Sequence, residues 1–184
     1  MADYVAAQIT IGGRIPHHLV AELCAAISRE GLSLEWGDCD FEPTTAQELL
    51  EACSAVHGAN VLGLYDDQAT WGEFPELEAF LQEHDIPFDR LHEGKYDVGP
   101  ELRQFRPGAG CRDFDVTPDG AVVVPISSLL ALREHLATAR RHLGAHEPQS
   151  AVETLQAVLD ATAESLVEPT TLPALEIASA EPDV

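Results

Sequence analysis

Two hydrophobic periodicities alternate along the first half of the chain, and this alternation limits the fold more than any other feature. Val5, Ala7, Ile9 and Ile11 recur at every second position, which is typical of a strand with one buried face. A stripe at three- to four-residue spacing follows over residues 19–27 and indicates a helix. The succession recurs and predicts the order β-α-β-α-β-α-β, with helices packed on a sheet.

The second and third repeats of this pattern are less regular. A short strand is predicted at Leu32–Trp36, and the spacing of Thr45 and Glu48 predicts a capping box that opens a helix. The apolar stripe of that helix is expected to run to Gly58. A third strand is expected over residues 61–65, with a loop after it.

Helical periodicity disappears between about residues 91 and 125, where turn residues recur. The sharpest turn is Thr117-Pro118-Asp119-Gly120, in which proline presets φ and glycine accepts a positive φ. This segment predicts an antiparallel meander. Two amphipathic helices follow at about 127–143 and 150–167. The predicted fold class is therefore α+β, with a ferredoxin-like arrangement as one alternative for its sheet.

The predicted domain organisation has three parts. Residues 1–125 form an α+β domain, and residues 126–168 form a helical hairpin packed on it. Residues 169–184 combine acids, prolines and small residues, so a disordered acidic tail is expected there.

Negative charge is abundant and unevenly distributed. The net charge is -22; residues 1–89 hold 17 acidic groups and two basic ones, whereas residues 90–146 hold eight basic and seven acidic groups. Such a surface repels nucleic-acid phosphate and anionic membranes. We therefore expect neither nucleic acid nor membrane as a direct partner, and we expect a basic protein instead.

Several other classes of protein lack support in the sequence. The cysteines are widely and irregularly spaced, and no long apolar run or basic leader is present, which favours a reduced cytoplasmic protein. Metal-binding histidine motifs, phosphate-binding glycine motifs and a nucleophile elbow are also missing. No metal, cofactor or catalytic residue is predicted, and a non-enzymatic role is favoured.

The leading hypothesis is an interaction or inhibitor protein that binds a basic partner through an acidic face. A narrower version is nucleic-acid mimicry, in which carboxylates imitate phosphates and the partner is a nucleic-acid-binding protein. The residues predicted to form this face are Glu35, Asp38, Asp40, Glu42, Asp66, Asp67, Glu73 and Glu76.

Two alternatives belong to other functional classes. A small enzyme or ligand-binding domain would hold an anionic ligand on the meander, because guanidinium groups bind carboxylate and phosphate with two parallel hydrogen bonds. Its candidate ligands are Arg90, Arg103, Arg106 and Arg112. A structural assembly module would instead form oligomers through the C-terminal helices.

Overall fold

The computed structural model describes residues 3–94, 99–165 and 169–178, and within these ranges the chain is α+β, as predicted. The strands are β1 (Tyr4–Ile11), β2 (Arg14–Ile15), β3 (Ser54–Val56), β4 (Ala59–Thr70), β5 (Phe88–His92), β6 (Glu101–Arg106), β7 (Gly110–Asp115) and β8 (Glu176–Ile177). The helices are α1 (Val20–Glu30), α2 (Ala46–Glu51), α3 (Pro75–Glu83), α4 (Ile126–Gly144) and α5 (Pro148–Ser165).

The main sheet is antiparallel and has the strand order β3-β4-β1-β5-β6-β7. Ile9 on β1 lies opposite Leu64 on β4 and opposite Arg90 on β5. Since β4 and β5 both run antiparallel to β1, they are parallel to each other, and α3 connects them across β1. Ser33 pairs with Tyr65 on the far side of β4. This order is the ferredoxin-like alternative, with its second strand reduced to one bridge and β6 and β7 added beside β5.

The core lies between one face of this sheet and helices α1 and α3. Ile9 and Ile11 on the sheet, Leu23 and Ile27 on α1, and Leu77 on α3 are fully buried. Their spacing of two in the strand and four in the helix is what brings the apolar side chains to a common layer. This packing places α3 directly above β5 and β6.

Three local predictions in the first half were wrong. Helix α2 has the predicted capping box at Thr45 but ends at Glu51, and β3 and β4 follow as a hairpin. Both turn residues of this hairpin have positive φ (His57 49°, Gly58 85°), the geometry of a two-residue turn that fits strand twist. The loop expected after residue 65 is strand, since β4 pairs with β1 as far as Thr70. Leu32–Trp36 is not a strand.

The meander prediction is confirmed. Strands β5, β6 and β7 pair in sequence as antiparallel neighbours. The turn after them closes through a hydrogen bond from Gly120 N to Thr117 O of 2.8 Å, and Val116 bridges Val122.

The prediction of a disordered tail is wrong for the part of the tail that lies in the described residues. Strand β8 pairs in parallel with β2, and Leu175 is buried in the core. Gly13 N donates to the carbonyls of Pro173 and Ala174 at 3.1 Å. A side chain at Gly12 would collide with Pro173 O and Leu172, so glycine is required where this segment crosses. Residues 179–184 lie outside the described ranges.

The chain divides into two compact units. One extends to Val122 and includes the segment that starts at Thr171; the other is Val123–Thr170. The second unit contains α4 and α5, which pack against each other across a three-residue connection. The predicted hairpin is thus present, while its packing on the first domain stays a prediction. No helix in the described ranges has the length and apolarity that crossing a bilayer requires.

Candidate functional site

The four candidate arginines of the meander do not converge. Arg90 and Arg103 lie opposite each other on β5 and β6 and share the core-facing side of the sheet. Side chains alternate along a strand, so Arg106 projects from the other side, as does Arg112, which is paired in register with Gln104. Two arginines therefore lie on each face.

Among the described residues, Arg90 is the largest fully buried side chain, with 1% exposure. Its position on β5 is in phase with Phe88 and His92, which forces the guanidinium under α3. There Nη1 donates to Gly72 O at 2.6 Å and Nη2 donates to Glu101 Oε1 at 3.1 Å. The Nε atom lies 3.2 Å from Glu78 Oε1. These contacts surround the cation with internal acceptors.

Glu78 is the partner of Arg90 on helix α3 and is only 5% exposed. Its carboxylate accepts a hydrogen bond of 3.1 Å from Phe74 N and lies 3.7 Å from Arg103 Nη1. Burial raises the pKa of Glu78, and the charge of Arg90 opposes that rise. Glu78 thus connects α3 to two strands of the sheet.

Arg103 and Arg106 are bound to carboxylates as well. Arg103 makes two hydrogen bonds to Asp113, of 2.7 and 3.2 Å, which raise the pKa of Arg103. On the opposite face, Arg106 lies 2.7 Å from Asp89 Oδ1 and donates to Phe88 O at 2.9 Å. Burial raises the pKa of Asp89, and Arg106 counteracts this. These arginines are therefore neutralised within the chain.

His92 follows Arg90 on the core-facing side of β5 and is 4% exposed. Its Nε2 lies 3.9 Å from Glu101 Oε1. Burial is the largest cause that lowers the pKa of His92, and Arg90 adds to it. Arg112 is exposed and forms no ion pair with any described residue.

The sequence did not indicate the partners of the arginines, namely Glu78, Asp89, Glu101 and Asp113, or the burial of His92 beside Glu101. A signal existed for two of them. Glu78 is adjacent to Leu77 in the buried stripe of α3, and His92 continues the alternation of Phe88 and Arg90 on β5. Glu101 and Asp113 become partners only through strand register, which the sequence did not specify.

A second cluster of polar and aromatic groups lies on the opposite edge of the sheet. The loop after α1 is fastened to β4 by two hydrogen bonds of 2.9 Å between the backbones of Ser33 and Tyr65. This attachment places the ring of Trp36 against that of Tyr65, with centroids 4.8 Å apart. Trp36 nevertheless stays 46% exposed.

Acidic residues neighbour this aromatic pair along the loop and along β4. Glu35 and Asp38 lie on either side of Trp36 in the loop, joined by a hydrogen bond from Asp38 N to Glu35 O of 3.3 Å. Asp40 pairs with Ser33, and the Asp67 carboxylate lies beside Gly37. We call this region the Trp36 surface, defined by six residues: Glu35, Trp36, Asp38, Asp40, Tyr65 and Asp67.

The eight acids predicted for a single face fall into three groups. Four belong to the Trp36 surface. Glu42 is exposed just after the loop, and Asp66 is half-buried and accepts a hydrogen bond from Gln68 N. Glu76 pairs with Arg29 at 2.8 Å, and Glu73 lies 3.9 Å from Arg90. Of the eight, only these last two have a cationic partner in the described part of the chain.

The described residues contain no group of three or more His, Cys, Asp or Glu side chains arranged to hold a metal ion. No family model matches the chain, and neither a curated protein nor a solved structure is significantly similar to it.

Proposed function

We propose that this chain is a non-enzymatic binding protein that recognises a basic protein partner through the Trp36 surface. The observation that carries the proposal is the half-exposed Trp36 ring, held against Tyr65 in a loop that carries the acidic residues Glu35, Asp38 and Asp40. None of the surface's four acids forms an ion pair with a described basic residue.

The chemistry of this surface suits arginine and lysine side chains. A guanidinium or ammonium group is attracted to the face of an indole ring and to carboxylates at the same time. Tryptophan and tyrosine are also the residues most enriched among those that dominate interface energies. Burying the remaining exposed part of the Trp36 ring stabilises a complex by about 2–3 kcal/mol on area grounds alone.

The internal ion pairs of the meander arginines support the same proposal indirectly. Arg90, Arg103 and Arg106 are engaged with internal carboxylates, so they do not neutralise the acids of the Trp36 surface. They also lie on two faces and present no converging donors in the described meander. The negative field therefore remains available to a partner at the Trp36 surface.

The chain offers a matched pair of tryptophans for the test. Trp71 is 50% exposed and lies just beyond β4, away from the acidic loop. The probe is an alternating Arg-Gly peptide, with the Gln-Gly peptide of the same length as the neutral reference. Trp36→Ala should weaken binding of the Arg-Gly peptide at least tenfold, at about 1.4 kcal/mol per factor of ten, while Trp71→Ala leaves it unchanged.

Charge neutralisation provides the second arm. The triple variant Asp38→Asn, Asp40→Asn and Asp67→Asn keeps side-chain shape and should lose binding as Trp36→Ala does. Equal loss in both tryptophan variants would show that binding is not specific to Trp36, and full binding by the triple variant would show that these carboxylates do not hold the peptide; either result would overturn the proposal.

The narrower version, in which the carboxylates imitate phosphates, makes its own prediction. Proteins captured from lysate by the wild type, and lost with Trp36→Ala, should be released by duplex DNA. If DNA does not release the captured proteins, mimicry is refuted and the proposal of a basic protein partner stands.

A further inference from the structure

Helices α4 and α5 pack against each other, and none of the described side chains buried in the two helices is large. Ala139 and Ala151 are buried at 3% and 0% exposure, and Val158 is buried at 6%. Because small residues let two helices approach closely, this contact uses few of the large apolar side chains of the unit. Most of the larger ones remain exposed.

Six of these large side chains lie on the same side of the hairpin. Leu129, Leu136 and Leu143 recur every seven residues on α4, at 48–56% exposure. They lie about 40–80° round the helix from the buried Ala139, and the stripe on α5 is displaced in the same sense by about 40–120° from Ala151 and Val158. Because the short connection makes the helices antiparallel, displacements of the same sense bring both stripes to one face. The α5 stripe consists of Val152, Leu155 and Leu159, at 37–62% exposure.

We infer that this apolar face, made of Leu129, Leu136, Leu143, Val152, Leu155 and Leu159, binds the same face of a second copy of the chain to form a four-helix bundle. A two-helix hairpin has no inner layer of its own, and stacking two hairpins supplies one. The six side chains expose roughly 500 Å², and the residues at their margins bring the face close to the ~800 Å² per partner of a standard interface.

Charge sets the orientation of the two copies. Helix α4 carries Arg133, Arg140 and Arg141 against one acid, whereas α5 carries three acids and no basic residue. A two-fold axis parallel to the helices places each α4 beside the partner's α5, which pairs opposite charges. The other face-to-face packing places α4 beside α4 and is disfavoured by repulsion.

The hairpin supplies a closely matched control for the test. Leu136 and Leu130 lie on the same helix at 48% and 46% exposure, but Leu130 points away from the apolar face by about 120°. Sedimentation of the full chain at about 100 µM should give twice the 19.9 kDa chain mass. Leu136→Glu and Leu159→Glu should each raise the dimer dissociation constant at least about tenfold, and Leu130→Glu should not.

Mixing two defective variants tests the orientation. Leu136 and Leu155 lie at similar distances from the connection, so they are level with each other along the antiparallel hairpin. Leu136→Glu mixed with Leu155→Lys should form a heterodimer, because Glu on one α4 then meets Lys on the partner's α5. A wild type that stays monomeric, or equal dissociation by Leu130→Glu, overturns the dimer; failure of the mixture to associate overturns the proposed packing. All variants change exposed side chains, so each should remain folded, and circular dichroism is the measurement that checks this.

Discussion

Glu78 and Arg90 form an ion pair inside the protein core, with Glu78 Oε1 3.2 Å from Arg90 Nε and both side chains more than nine-tenths buried. The pair fixes α3 above β5 at the position where the apolar core gives way to charged side chains. Taking both groups out of water is costly, so the pair stabilises the fold only while each partner is present.

Removing the cation alone should therefore be strongly destabilising. Arg90→Met leaves Glu78 without its nearest cation and should lower the free energy of unfolding by about 3–5 kcal/mol. The double variant Arg90→Met with Glu78→Met should recover a large part of that loss, because Glu101 and Glu73 are partly exposed and can be hydrated. Urea unfolding measures the free energy of both variants. Arg112→Met, which changes an exposed side chain of the meander, is the control. A loss under about 1 kcal/mol for Arg90→Met would contradict a structural role.

His92 should make stability sensitive to pH. Burial, followed by the charges of Arg90 and Arg103, lowers the pKa of His92 below the ordinary value of 6.5. The charges of Glu101 and Glu73 oppose this decrease. Below pH 6.5 the unfolded chain therefore binds a proton that the folded chain resists, and stability falls as the pH drops towards the folded-state pKa. Between pH 7.5 and 5.5 the urea midpoint of His92→Gln should fall less than that of the wild type. His18→Gln, on an exposed turn, should follow the wild type; a parallel fall for His92→Gln would disprove the effect.

The segment around β8 should contribute to stability as a core element. Leu175 is 5% exposed, and its backbone N donates to Asn60 O at 2.7 Å. Leu175→Ala should cost about 2–4 kcal/mol through lost burial and the cavity that it leaves. The neighbouring Glu176 is exposed, so Glu176→Ala should be nearly neutral in the same unfolding experiment. If the two variants unfold alike, the segment does not dock as described.

The sequence predicted the elements whose periodicity was continuous. Strand β1, helix α1 and the β5–β7 meander follow directly from alternation, helical stripes and turn residues. The hairpin of β3 and β4 was not predicted, because Cys53 and Val56 extend the apolar stripe of α2. The turn of the hairpin is His57-Gly58, and His-Gly is a weaker hairpin signal than Asn-Gly or Asp-Gly.

The sites depended on information that a single sequence hardly contains. The composition of the C-terminal segment did not indicate β8, because acids and prolines surround the few apolar residues that dock, Leu175 and Ile177. The acids of the predicted face were separated by tertiary contacts: Glu76 reaches Arg29 from a distant helix, whereas Asp67 joins the loop of Trp36. Strand register and helix packing decide which charged side chains come into contact, and a count of charges indicates neither.

Salt should separate the two proposed associations, because it acts on them in opposite directions. A complex between the Trp36 surface and a basic peptide depends on attraction between unlike charges, so its dissociation constant should rise at least tenfold from 50 to 500 mM salt, as the screening length falls from roughly 14 to 4 Å. Two copies that each carry -22 repel one another at long range, while the apolar face that joins them is not weakened by screening. The dimer should therefore become tighter over the same range, as measured by sedimentation velocity. A dimer that dissociates with added salt would mean that charge, and not the leucine face, holds the copies together.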